Sequence, residues 1–452
     1  MNDENYDVMV IGSGDAGRTV AFDAAKKGKK VAVVDKHSWG DTDGFRGDIP
    51  KSMLVVGAEL ADHVRRMNDV GVHLGSGQVS WKELQEWKST YLESVSKDLK
   101  KRFQAAGIDT YQGAARFIDE TSLSVNEEVF HAKTIHIASG SKPSPLGIQG
   151  SEFLLPSDEF LSLVQLPKRI IFIGGGYISF ELAHIAARAG SEVMILQGNT
   201  ALLKEFDSDL VDLLVKASEK IGIIVNKNRP LVKVEKHGLS SVVFTQQEGR
   251  EIRENADLVV HAAGRVPDIE DMDLMKGNVQ YSKNGISVTK YLQSVSNPRV
   301  TAAGDAADTG PLLTPVVVRE GEIAAYNVLH KTKQRIPDYT FVPSVVCTIP
   351  PLAKAGYTED EARAKGLDFD VLYQKTNQWF HSILVNEKFS AYKLLVQKKS
   401  GKILGAHVLG WQADAMINFF AFVMQHKMTI EDIKKPLYAC PTAPGRVEHM
   451  VE

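Results

Sequence analysis

The stretch YDVMVIGSGDAG, Tyr6–Gly17, decides the fold. An apolar run from Val8 to Ile11 ends in Gly12, Gly14 and Gly17, and a helix-like segment follows as far as Ala25. After Gly28 comes a second β-rich run, Val31–Val34, closed by Asp35. Strand, glycine turn and helix in this order make a dinucleotide-binding unit. Gly12 permits the tight turn, Gly14 lets the backbone approach a pyrophosphate, and Gly17 lets helix pack on strand. The helix N-terminus offers unpaired N–H groups to the phosphates, and Asp35 can accept from a ribose 2′-OH. Alone, such a glycine pattern is weak; the flanking strands and the terminal acid give it weight.

The pattern returns at Ile170–Glu181, IIFIGGGYISFE. A shift of 162 residues lays Gly12 on Gly174, Gly14 on Gly176, Gly28 on Gly190 and Asp35 on Gln197. Two units in one register predict two bound dinucleotides. The second unit departs from the first at two points. Ser179 stands where the third glycine would be, small enough for close packing, and Gln197 replaces the acid. A carboxylate there favours the free 2′-OH of NAD and an Arg nearby favours a 2′-phosphate. Neither is present, so the choice stays open, with NADH slightly favoured.

The remaining chain sets bounds. Its 452 residues suit about three domains. With 53 Lys+Arg against 56 Asp+Glu the net charge is −3, which argues against a nucleic-acid binder working through bulk positive charge. Two cysteines, Cys347 and Cys440, exclude a disulfide-stapled scaffold and a Cys-rich metal site. No apolar run reaches the roughly 18 residues of a membrane span, and no basic, apolar leader precedes the first strand, so a soluble cytoplasmic protein is expected. The stripe Leu84, Trp87, Tyr91, Val95, Leu99 and Phe103 has helical spacing within Val70–Gly107 and is expected to be packing surface. Ile135–Gly140, Leu258–Pro267 and Val300–Asp305 look like strands ending in small residues, the last with a carboxylate at its tip. Beyond about residue 337, strands at Phe341–Thr348, Ala391–Gln397 and Ile403–Leu409 and a helix at Asp414–Met424 suggest an α+β domain with an apolar face. No metal-ligand motif and no serine nucleophile elbow is present.

These motifs, with ASGSKP, AAGRVP, AAGD, PSVVCT, AGYTEDEA and ILGAHVLG, resemble over essentially the whole chain the pyridine nucleotide-disulphide oxidoreductases of the dihydrolipoamide dehydrogenase, glutathione reductase and mercuric reductase type. The resemblance implies an α/β fold with two Rossmann-like domains of three-layer ββα form and a C-terminal α+β dimerisation domain. It implies an FAD domain over 1–148 and 269–336, an NAD(P)-binding domain over 149–268, and a dimerisation domain over 337–452. FAD would lie on the first turn, with Lys36, Thr42, Ala115, Ser139, Gly140, Gly304 and Asp305 also at the cofactor and Asp305 on the ribityl chain. NAD(P)H would lie on the second turn, with Gly264 as a further cofactor-binding residue. A homodimer would complete each active site.

Family chemistry sends electrons from NAD(P)H to flavin, then to a redox disulfide written G-G-T-C-x-x-x-x-C-x-P-[ST]-K. Here the segment is Gly40-Asp41-Thr42-Asp43-Gly44-Phe45-Arg46-Gly47-Asp48-Ile49-Pro50-Lys51-Ser52, with aspartate at both cysteine positions. The family lysine is displaced by one, to Lys51, while its usual partner Glu181 and the nicotinamide-gating Tyr177 are kept. The closing H-x-H-P-T-x-x-E has become Tyr438-Ala439-Cys440-Pro441-Thr442-Ala443-Pro444-Gly445, with Cys440 at the catalytic His and Gly445 at the Glu.

Asp48 has two readings: a cap on the following helix, or a carboxylate near the flavin whose pKa burial raises for proton transfer. Cys440 is either an inert buried thiol or a thiolate directed at the partner's site, and Cys347 is expected in the core. The function implied is an FAD-dependent NAD(P)H oxidoreductase passing electrons to an unidentified non-disulfide acceptor. The alternative is a catalytically degenerate FAD/NAD(P)-binding protein acting as sensor or partner subunit.

Overall fold

The computed structural model describes residues 4–37, 39–40, 47–68, 70–75, 77–330 and 332–452. The chain divides into two compact units. One combines Met1–Lys51, Glu86–Ser144 and Gly264–Tyr339; the other combines Ser52–Gln85, Pro145–Ala263 and Thr340–Glu452.

In the first unit, four parallel strands lie in the order Asp109–Gln112, Val31–Asp35, Glu4–Ile11, Glu128–Ile137. Val300–Ala302 pairs parallel to the last of these, and Ser122–Val125 and Ala115–Phe117 extend the sheet antiparallel. Successive side chains face opposite ways. Met9, Ile11, Ile135 and Ile137 join Phe117, Leu123 and Phe130 in one core. Val8, Val10, Val31 and Val33 turn to the other, beneath Val20, Ala21 and Ala24 of the helix Asp15–Lys26 and Ala324 of the helix Thr314–Leu329. Burial on both faces is why these strands are continuous apolar runs in the sequence.

The second unit repeats the arrangement. Its parallel sheet runs Ile224–Asn226, Glu192–Leu196, Arg169–Ile173, Leu258–His261, Leu155–Pro156. A three-stranded antiparallel meander covers Leu231–Ala256. The C-terminal sheet is antiparallel, in the order Ser344–Val346, Leu352–Gly356, Ile403–Leu409, Ala391–Gln397, Phe369–Lys375. The helix Ala413–Gln425 packs on it through Met416, Ile417, Phe420 and Met424. Lys393, on the middle of that sheet and almost wholly buried, is held by Asp207 at 2.7 Å, Asp209 at 2.6 Å and Glu359 at 2.9 Å. Burial works against its charge, but the carboxylates prevail and its pKa is raised.

Two expectations need correction. The strand expected at Phe341–Thr348 shrinks to Ser344–Val346, because Pro343 has no N–H for the ladder. The stripe at helical spacing does fall on a helix, Trp81–Ala105, and Leu99 and Phe103 are buried, but Trp87 and Tyr91 are 53% and 48% exposed. Among the described residues, no helix is long and apolar enough to cross a membrane, and no group of His, Cys, Asp or Glu is placed to hold a metal ion.

Candidate active site

The two glycine turns agree bond for bond. Gly12 N–H donates to Val34 O at 2.8 Å, and Gly174 N–H to Leu196 O at 2.9 Å. Both glycines have positive φ, 101° and 116°. A Cβ on Gly12 would stand 2.2 Å from Ala138 O, and one on Gly174 2.3 Å from Ala262 O. Neither position therefore accepts a side chain, and the crossing strands close against bare backbone. Gly14 and Gly176 are the N-caps of the helices Asp15–Lys26 and Tyr177–Arg188, and neither helix has a side-chain cap. Their first N–H groups are left facing the turn, where an anion is favoured by both hydrogen bonding and the helix dipole. Gly17 and Ser179 differ. A Cβ at Gly17 would meet Gly12 O at 2.0 Å, whereas Ser179 is fully buried with its Oγ lacking a hydrogen-bond partner among the described residues.

The residue closing the second strand braces each turn from below. Asp35 Oδ2 accepts from Ser13 N–H at 2.8 Å and Ser13 Oγ–H at 2.6 Å. Gln197 Oε1 accepts from Gly175 N–H at 3.0 Å, while its Nε2 donates to Asn199 Oδ1 and to Ala201 O, both at 2.9 Å. An acceptor is needed at this position in either unit; whether it also carries charge is a separate matter. Asp15, a carboxylate in the first helical turn that would oppose a phosphate, is paired with Arg18. Sequence reading missed that pair, although i,i+3 spacing signals it.

The other residues expected at the cofactors that the structure describes fall in the first unit. Ser139 and Gly140 follow the strand Glu128–Ile137, and Ser139 Oγ is buried without a partner among the described residues. Asp305 Oδ2 accepts from Ser141 Oγ–H at 2.7 Å, and Arg265 Nε donates to that same Ser141 oxygen at 2.9 Å. Gly304 N–H is held by Glu320 Oε2 at 2.7 Å, and Tyr339 Oη donates to Glu320 Oε1 at 2.5 Å. Glu320, 1% exposed, was invisible as a site residue in the sequence because it lies a helix away from the loop it fixes. Lys36 is engaged by buried Asp268, at 2.9 Å to Oδ1 and 2.8 Å to Oδ2. Ala115 is a core residue of the strand Ala115–Phe117. Gly264, at φ 111°, belongs to the first unit and accepts from Ser144 N–H at 3.1 Å. Thr42 lies outside the described residues.

At the aspartate-bearing loop, Asp43 also lies outside the described residues. Asp48 is the first residue of the helix Asp48–Asn68, an acid in the first turn, where the helix dipole favours it. Its Oδ1 accepts from Lys51 Nζ and its Oδ2 from Thr314 Oγ–H, both at 2.8 Å. The reading of a raised pKa fails. Burial pushes the carboxyl up, yet the Lys51 ammonium and the bonds from Lys51 and Thr314 outweigh it, and the net shift is downward. Asp48 is therefore an anion at neutral pH. Lys51 serves that anion.

In the second unit Glu181, 2% exposed, accepts from Cys347 N–H at 2.7 Å, and Tyr177 is the first residue of its helix, half-exposed. Cys347 is only half-buried rather than core, and Cys440 is exposed rather than buried; neither is in a disulfide. Cys440 lies in an irregular loop that follows the C-terminal sheet and its helices, so no apolar core encloses it. At Gly445, a Cβ would stand 2.2 Å from Ala439 O.

Comparison with known proteins agrees with this geometry. The family model described as pyridine nucleotide-disulphide oxidoreductase matches residues 6–321, and its dimerisation domain matches residues 342–451. The mercuric reductase of Staphylococcus aureus is 30% identical over 437 residues, covering 95% of this chain and 79% of that protein. The dihydrolipoyl dehydrogenase of Bacillus subtilis (strain 168) is 30% identical over 442 residues, 96% of this chain and 93% of that protein. That of Mycoplasma pneumoniae is 30% identical over 451 residues, covering 97% and 96%. The chain belongs to the pyridine nucleotide-disulphide oxidoreductase family. It is an FAD-dependent NAD(P)H oxidoreductase of the dihydrolipoamide dehydrogenase kind, and its dimerisation domain makes it a homodimer. The residues present fit both cofactors. Each turn brings bare glycine backbone and uncapped helical N–H groups to one place, and each has beside it a buried serine hydroxyl with no partner among the described residues, Ser139 and Ser179.

Proposed function

We propose that this protein takes an electron pair from NAD(P)H and delivers it through its flavin to an acceptor that is not a disulfide. The supporting observation is Asp48. At one of the two positions where the family places a redox cysteine stands a carboxylate held as an anion by Lys51 and Thr314. A carboxylate cannot accept and return an electron pair, and the sequence has aspartate at the other position as well, Asp43. Bound FAD supplies the two-electron carrier between nicotinamide and acceptor.

The chain's own residues do the rest. The Gly12 and Gly174 turns hold two pyrophosphates, Ser141 and Arg265 orient Asp305, and Tyr177 covers the nicotinamide pocket. Asp48 and Lys51 place an ion pair that cannot be reduced where the family keeps its disulfide. The acceptor class is a quinone, dye, metal species or oxygen. FAD is assigned to 1–148 with 269–336, NAD(P)H to 149–268, and the dimer interface to 337–452.

The test is anaerobic mixing of the holoprotein with NADPH or NADH, followed by an acceptor. The expected result is loss of flavin absorbance, then its return with a quinone or a ferric chelate and not with lipoamide or glutathione disulfide. Fast reoxidation by either disulfide refutes the proposal. No bleaching by either nucleotide leaves the chain a degenerate binder acting as sensor or partner subunit, the reading that joint loss of the loop and the His–Glu pair would favour.

A further inference from the structure

The two dinucleotide units of this chain offer an internal comparison at the corner where an adenosine ribose lies. In the first unit, Asp35 ends the second strand and stands in register with Gln112 of the neighbouring strand. Gln112 is neutral, and its Nε2 is spent on Asp35 O at 3.0 Å and His37 O at 2.7 Å. The charge contributed by that pair is one negative. An anionic corner suits a ribose with a free 2′-OH, which is what FAD carries, and would repel a 2′-phosphate.

In the second unit both residues of the pair change. The strand pairing runs Met194↔Ile224, Ile195↔Val225 and Leu196↔Asn226. One residue further along, Lys227 comes opposite Gln197, and the ladder then slips by one residue at Asn228, whose φ is 56°. Gln197 N–H donates to Asn226 O at 2.8 Å, and Gln197 O accepts from Arg229 N–H at 2.8 Å. Gln197 replaces the acid and brings no charge. Its two amide hydrogens are already given to Asn199 and Ala201, so it has no donor of its own to offer a phosphate. Lys227 replaces the neutral Gln112. It is exposed and makes no ion pair with a described residue. The other cation of the loop, Arg229, is buried and committed to Glu254 at 3.2 Å and Thr245 at 2.9 Å. The charge contributed by the equivalent pair is thus one positive, carried by the single lysine. Adjacent strands lie about 4.8 Å apart, so an extended lysine side chain reaches across to the ribose over Gln197.

We infer that the second turn is built to receive a 2′-phosphorylated adenosine, with Lys227 as the specificity-determining cation, so that NADPH is the donor this site favours. This rests on the reading of the second turn as the NAD(P)H site. It reverses the slight preference for NADH drawn from the sequence, which shows neither a carboxylate nor a nearby Arg at this corner. Lys227 stands 30 residues beyond Gln197 in the chain, and only the strand register brings the two together.

The test compares binding of 2′,5′-ADP and 5′-AMP to the holoprotein by calorimetry, alongside anaerobic flavin reduction by NADPH and NADH. The expected result is 2′,5′-ADP about ten-fold tighter than 5′-AMP, equivalent to about 1.4 kcal/mol. Lys227→Gln should abolish most of that ratio, and Gln197→Glu should invert it by restoring the repelling carboxylate. Equal affinity of the wild type for the two nucleotides overturns the inference, as does a Lys227→Gln variant that keeps the ratio. If neither nucleotide binds and neither NADPH nor NADH bleaches the flavin, the nucleotide reading of the turn falls and this inference falls with it. If NADH alone binds and reduces, the site reading stands and the 2′-phosphate assignment fails.

Discussion

His136 allows the fold around the flavin turn to be tested by pH alone. It lies on the strand Glu128–Ile137, two residues before the Ala138 carbonyl that Gly12 must clear. It is fully buried, in register with Val10. Its Nδ1 lies 2.9 Å from Thr301 Oγ1, and its Nε2 has no partner among the described residues. Burial therefore pushes its pKa down from 6.5 to about 3. Between those values the unfolded chain binds a proton that the folded one refuses, so lowering the pH favours unfolding. The contribution is fully present above pH 6.5 and is lost progressively below it. With an unfolded value near 6.5, the loss between pH 7 and pH 5 is about 2 kcal/mol, close to 1.4 kcal/mol for each unit below 6.5. The assay is urea unfolding of the holoprotein at both pH values, for the wild type and for His136→Gln, which keeps a partner for Thr301. Other buried histidines, His184 among them, contribute equally to both proteins and cancel in the comparison. His136→Gln should lose about 2 kcal/mol less than the wild type on going from pH 7 to pH 5. Parallel losses in the two proteins would refute the reasoning.

Gly12→Ala should abolish FAD retention, and Gly174→Ala should abolish nucleotide binding while FAD stays bound, since each added Cβ meets a strand carbonyl within 2.3 Å; flavin content and calorimetry separate the two. Glu320→Leu leaves the Gly304 N–H and the Tyr339 hydroxyl without their acceptor. At roughly 1–3 kcal/mol for each buried unsatisfied group, it should lower the melting temperature and release FAD, whereas Glu320→Gln should do much less. Cys440→Ser should leave NAD(P)H turnover unchanged with every acceptor tried, because the exposed thiol has no role in the proposed electron path; a large loss of turnover would restore thiol chemistry to the account.

Both dinucleotide turns were legible from the sequence because their chemistry is local. Glycines, a helix start and a strand-ending polar residue fall within a few dozen positions, and the 162-residue repeat supplied a second copy as a check. The bonds Gly12–Val34 and Gly174–Leu196 repeat at that same offset. What escaped was non-local. Glu320 reaches Gly304 from a different helix, and Lys227 reaches the Gln197 corner through strand pairing. The ionisation of Asp48 rests mainly on Lys51, three residues along, with a further bond from Thr314, 266 residues away. Burial suggests the wrong sign for Asp48 when its partners are unknown. For Cys440, chemical character suggested burial, but the loop that carries it is open to solvent.

The central claim is that the electron-donor side of this family has been kept and the dithiol removed. Anaerobic reductive titration of the holoprotein with dithionite, read by flavin absorbance, tests it most directly. Aspartate stands at both family cysteine positions, and Cys347 and Cys440 are not joined in a disulfide, so the proposal leaves the flavin to carry the electron pair. The account predicts full bleaching after two electrons per FAD. A requirement for four, with a second redox centre filling before or alongside the flavin, would contradict it.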